Sequence, residues 1–189
     1  MLGKSHILVS ESVFLCGAYA IGARPSESLY PLLGGILIGS ILPDIDTPNS
    51  LINKIIFLLG RNSMESMFKF KHRGFTHTIY AWLITLIIAI IGLFINTFAG
   101  LFLGGVSLGY LLHLIEDSFS VAGISWLGKN YDQYVLSKYG TLMRTPVRYV
   151  NKKPIRHWWG RGYEVGSRTE TIIVIALLML GTYCTCLML

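Results

Sequence analysis

Apolar positions along this chain gather into five stretches, residues 6–23, 29–42, 78–95, 98–115 and 171–189, with most polar residues in the breaks between them. One bilayer crossing takes roughly 20 apolar residues in a helix. The pattern therefore predicts an all-α fold, a polytopic membrane bundle of four to five apolar helices. The stretch at 29–42 has only 14 residues and carries Gly34, Gly35 and Gly39. That leaves two readings open, a short tightly packed span and a re-entrant helix. Asn96 and Thr97 punctuate the third and fourth stretches and predict a tight helical hairpin there. Residues 51–60 are apolar but too few to span, and read as an interfacial helix or a cover over a site. Glu170, just before the last stretch, suits the positive end of a helix dipole.

Composition supports a membrane protein. Of the 189 residues 52% are hydrophobic and only 14% charged, mean hydropathy is +0.56, and no Asp, Glu, Lys or Arg occurs in residues 74–115. The length suits one domain, residues 1–189, with a motif-bearing core at 3–128, a basic loop at 129–168 and a C-terminal helix at 171–189. Most of the charge lies in two loops. Residues 43–77 carry Lys54, Arg61, Lys69, Lys71 and Arg73, and residues 119–168 carry nine Lys or Arg against Asp132 and Glu164. By the positive-inside rule both face the cytoplasm. Orientation thus explains the net charge of +6, and no specific nucleic-acid partner is expected. The cluster Arg156-His157-Trp158-Trp159-Gly160-Arg161 reads as an interfacial anchor rather than a base-stacking surface. Cys16, Cys184 and Cys186 are odd in number and lie in apolar stretches, as expected of free thiols. Lys4, His6 and Glu11 precede no small-residue cleavage site, so a removable signal peptide is not expected.

The candidate chemistry lies at the ends of the apolar stretches. His6 begins the first, Asp44 and Asp46 follow the second, His72 and His77 precede the third, and His113 and Asp117 end the fourth. Each pair of crossings returns the chain to the same membrane face, so all seven side chains are expected to meet there. His113 and Asp117 are four apart and share a helix face. Pro43 and Pro48 disfavour helix at Leu42 and Thr47; in an extended segment both carboxylates of Asp44 and Asp46 can turn inward. On one helix His72 and His77 would be about 140° apart, so the chain must turn between them, which Gly74 permits, with Thr76 placed to cap the next helix. Imidazole mixed with carboxylate suits Zn, Mn or Fe. Seven candidate ligands exceed the needs of one tetrahedral ion, so two or more ions are expected. Such a centre activates water for phosphoester cleavage. One of Asp44 and Asp46 would act as the base, the sequence leaving open which, and the planar fork of Arg73 would face the substrate's anionic oxygens.

His6, Leu42-Pro-Asp-Ile-Asp-Thr-Pro48, His72-Arg-Gly-Phe-Thr-His77 and Gly109-Tyr-Leu-Leu-His113-Leu-Ile-Glu-Asp117, followed by Ala122-Gly123, resemble the YdjM-like family of bacterial inner-membrane, metal-dependent hydrolases. The resemblance covers about residues 3–128. Thr47 stands where that family often has His, and Thr78 where Ser is common. More distantly, the ligand pattern is similar to the helical zinc-dependent phospholipase C and P1 nuclease group. The resemblance implies a hydrolase of the inner membrane with an anionic phosphoester substrate, and the positive-inside reading puts its metal site at the cytoplasmic face.

Competing functions leave weaker traces. A lipid-phosphatase mechanism needs an arginine shortly before its histidine and a Pro-Ser-Gly-His motif, whereas residues 106–112 are Val-Ser-Leu-Gly-Tyr-Leu-Leu. An intramembrane metalloprotease would show His-Glu-x-x-His, and the chain has none. The remaining alternative is a non-enzymatic membrane protein whose metal site serves structure, transport or sensing.

Overall fold

The computed structural model describes residues 3–47, 50–58, 74–120, 124, 126–127 and 165–188. Within them the chain is mostly helical, with no strands. Six α-helices follow in order: α1 Gly3–Ala20, α2 Leu29–Gly39, α3 Leu51–Leu58, α4 Ile79–Ile95, α5 Thr97–Ser118 and α6 Arg168–Met188. Two 3-10 turns, Leu42–Asp46 and Phe75–His77, stand after α2 and before α4. Residues 59–73 and most of the basic loop, with the Arg156 to Arg161 tryptophan cluster, lie outside the described residues.

Among the described residues, three segments are long and apolar enough to cross a membrane, Leu29–Asp46, Thr97–Ser118 and Arg168–Met188, with Ile79–Ile95 a shorter apolar helix. The 29–42 stretch is thus lengthened by the turn that follows it. In α1, Lys4, Glu11 and several serines dilute the apolar content, yet the helix forms and packs along α6. There Ser12 of α1 meets Gly181, where an added Cβ would lie 2.8 Å from the serine Cβ. On α4 and α6, Ile84, Ile87, Ile91, Ile172 and Met179 are exposed, as expected of surfaces solvated by lipid tails.

α5 is the central helix, with α2 on one side and α4 on the other. Gly35 of α2 faces Gly105 of α5, Gly39 the backbone of Val106, and Gly109 of α5 the backbone of Ile36 and Ser40, small residues four apart on each helix. A Cβ at Gly35 would strike the carbonyl of Phe102, and one at Gly109 that of Ile36. This backbone-to-backbone approach is a membrane packing mode, driven by contact rather than by expulsion of water. It sets the site, because Ser40, one residue beyond Gly39, is brought against His113, one turn beyond Gly109. The expected hairpin is present: the Asn96 side chain accepts from the Ala99 amide at 2.7 Å and caps α5. Glu170 accepts from the Gly166 amide at 2.7 Å, consistent with its place at a helix start. Cys16, Cys184 and Cys186 are free thiols.

Candidate metal centre

His6 of α1, Asp44 and Asp46 of the first turn, His77 of the second, and His113 and Asp117 of α5 meet at one end of the bundle. His72 and Arg73 lie outside the described residues. The three imidazoles are buried to within 1% of their surface, and Asp44, 18% exposed, is the most open of the six.

Each ring has its Nδ1 engaged and its Nε2 turned toward carboxylates. Nδ1–H of His113 donates to the Ser40 carbonyl at 2.7 Å. A carbonyl can only accept, so the proton is on Nδ1 and the lone pair on Nε2. That Nε2 is buried without a hydrogen-bond partner. Such an atom ordinarily costs about 1–3 kcal/mol, and a divalent ion would satisfy it. His6 donates from Nδ1 to Glu116 at 2.6 Å, and its Nε2 lies 3.5 Å from Asp117 Oδ1. His77 Nδ1 donates to Thr76 Oγ1 at 3.1 Å, and that hydroxyl donates in turn to Asp46 Oδ2 at 2.8 Å. Its Nε2 stands 3.8 Å from both Asp44 Oδ1 and Asp117 Oδ2. His113 Nε2 is 3.8 Å from Asp44 Oδ1 and 4.0 Å from Asp117 Oδ2. Donors around a tetrahedral ion with bonds near 2.0–2.1 Å lie about 3.4 Å apart. Closing on an ion therefore takes shifts of about half an ångström.

By distance, two ligand groups form among the described residues: His6 with His113 and Asp117, and Asp44 with His77 and His113. Ring orientation separates them further. His77 and His113 approach edge to face, with centroids 5.4 Å apart and planes inclined at 63°. His6 and His113 are stacked, 3.9 Å apart and inclined 25°, so their in-plane lone pairs run roughly side by side rather than converging. A ligand imidazole binds in its own plane about 2 Å from the ion. Asp44, His77 and His113 thus suit one ion, whereas stacked His6 points to a different position.

Burial opposes charge on His77, but the carboxylates of Asp44 and Asp46, and then Asp117, outweigh it and raise its pKa to about 9. At neutral pH an ion must displace that proton, as the ligation of protonated side chains requires.

Two local expectations are corrected. The Pro-Asp segment is a 3-10 turn rather than extended, because Pro43 needs no amide partner at the start of such a turn. Asp44 and Asp46 consequently face different nitrogens of His77, Asp44 toward Nε2 and Asp46 toward Nδ1. Thr76 does not cap the next helix. Thr78 does, accepting from the Ala81 amide, while Thr76 serves Asp46 and His77. Asn53 of α3 holds the first turn by donating to the carbonyls of Ile45 and Thr47 at 2.9 and 2.7 Å. On the far side, Tyr110 donates to the Thr76 carbonyl and belongs to an apolar cluster with Ala81, Leu114 and Ile124. Glu116 and Asn53 were not singled out from the sequence. The signal for Glu116 was an acid at the end of an apolar helix, where carboxylates are costly without partners.

Comparison with known proteins agrees with this membrane setting. The family described as YdjM inner membrane protein matches residues 1–188. Two relatives, each named Inner membrane protein YdjM, come from Escherichia coli strain K12 and Shigella flexneri. Both are 29% identical over 136 residues, 67% of this chain and 65% of their own length. The chain thus matches somewhat less than two thirds of these relatives. No solved structure matches it.

Proposed function

Because the chain belongs to the YdjM inner membrane protein family and its buried imidazoles face carboxylates, we propose that it is a membrane-bound, metal-dependent hydrolase of phosphoesters. The observation that carries this reading is the buried Nε2 of His113, locked as a lone-pair donor by Ser40 and without a hydrogen-bond partner, 3.8 Å from Asp44. The ligand mix suits Zn, with Mn or Fe compatible. We assign one ion to Asp44, His77 and His113 and a second to His6, with Asp117 beside both, on the ring orientations described above.

Such ions supply Lewis acidity and lower the pKa of water toward neutrality. The protein's own groups do the rest. Asp44, the most exposed carboxylate, is the one a substrate water reaches, so we assign it the proton-accepting role. Asp46 is fully buried against Thr76 and His77, and we assign it to orienting the His77 ring. Arg73, four residues before His77, would face the anionic oxygens. The active face is assigned to the cytoplasm from the basic loops. A phospholipid headgroup and a soluble phosphodiester share the required chemistry, and the source of the substrate is decided by assay.

The test is metal analysis of detergent-purified protein, followed by hydrolysis of a phosphodiester and of phospholipid vesicles with and without chelator. Chelator-sensitive turnover that Asp44→Asn and His113→Ala abolish supports the reading. Metal-loaded protein without turnover on either substrate favours the second reading, a structural, transport or sensing site. The burial of all three rings speaks for that reading, since structural sites are closed.

A further inference from the structure

Glu116 is a buried carboxylate near the end of an apolar helix, outside every ligand group. Its Oε2 accepts from His6 Nδ1 at 2.6 Å and its Oε1 from the Ser10 hydroxyl at 2.8 Å. We propose that Glu116, steadied by Ser10, is the positioning residue that makes His6 a metal ligand and so governs the second ion. This rests on the two-ion assignment above.

The argument is one of tautomers. A neutral imidazole carries one N–H, and its strongest acceptor decides which nitrogen bears it. His6 has a carboxylate at each end, Glu116 at Nδ1 and Asp117 Oδ1 3.5 Å from Nε2. With Glu116 in place the proton stays on Nδ1 and the Nε2 lone pair is free for an ion. Without it Asp117 is the remaining carboxylate acceptor, drawing the proton onto Nε2, where it blocks coordination and also occupies Asp117. Carboxylates behind ligand histidines characteristically tune metal affinity in this way. Glu116 engages His6 directly and is braced by Ser10, so its influence is expected on the ion that His6 would hold.

The test is titration of metal-freed, detergent-purified full-length protein with Mn2+, read by electron paramagnetic resonance, with the thermal midpoint measured in parallel. Wild type should bind two equivalents. Glu116→Ala should weaken one of them about 10- to 100-fold and leave the other unchanged. Glu116→Gln, whose amide oxygen still accepts from Nδ1–H, should lose less. In a His6→Ala background, Glu116→Ala should add nothing, because its effect passes through that ring. The proposal is overturned if Glu116→Ala leaves both affinities intact, or if its loss persists without His6. A parallel fall of both equivalents and the thermal midpoint would overturn it too, making Glu116 a tie between α1 and α5. One equivalent that His6→Ala leaves intact removes His6 as a ligand and overturns this inference while leaving the hydrolase reading standing. No Mn2+ uptake at all removes both.

Discussion

At the scale of single residues, the site depends on which atoms are already engaged. Each histidine uses Nδ1 on a fixed acceptor, so the three Nε2 atoms are the ones left to face Asp44 and Asp117. Substitutions should sort accordingly. Asp44→Asn is expected to abolish turnover and weaken metal binding, because it removes a charge beside two Nε2 atoms. Asp46→Asn should cost about 10- to 100-fold in metal affinity, the usual effect of losing a group that orients a ligand histidine. Equilibrium metal titration of the two variants separates these roles, and equal losses would contradict the division. The ligand types were legible in sequence because imidazole and carboxylate are rare at the ends of apolar stretches. Their division was not, since it depends on the turn geometry that sends Asp44 and Asp46 to opposite nitrogens of one ring.

Among the helices, the close approach of α2 and α5 carries Ser40 to His113. Gly109→Val would drive a side chain into the Ile36 backbone, whose Cα lies 2.9 Å from an added Cβ. Both the thermal midpoint and the metal content are expected to fall, because helix separation withdraws the Ser40 carbonyl. Gly104→Ala makes a control on the same helix, as no atom lies within 4 Å of its added Cβ. It should leave metal content unchanged and hold or raise the thermal midpoint, alanine being the better helix former by about 1 kcal/mol. A loss of metal in Gly104→Ala equal to that in Gly109→Val would contradict the account. Here the sequence was informative in part. Apolar length located α4, α5 and α6, and Asn96 marked the hairpin, but the close approach of Gly35 and Gly39 to the backbone of Phe102 and Val106, and of Gly109 to Ile36, is a property of two helices together. Neither glycine pattern names its partner.

Over the whole molecule, the return of His6, Asp44, His77, His113 and Asp117 to one end is what alternating crossings predict, and they do converge. The proposed orientation rests on charge: a cysteine at Asn96, in a background lacking Cys16, Cys184 and Cys186, is expected to react with an impermeant reagent only from the outer side. Labelling from the cytoplasmic side would reverse the orientation. Metal content of the purified protein reaches furthest into the account, since the fold, the ring orientations and the proposed chemistry all meet in it. Elemental analysis of wild type beside His113→Ala, prepared identically and both shown to be folded, should find a bound divalent transition metal in the first and a loss of the ion assigned to Asp44, His77 and His113 in the second. Equal metal content in the two proteins, or none in wild type after equilibration with Zn2+ and Mn2+, would contradict it.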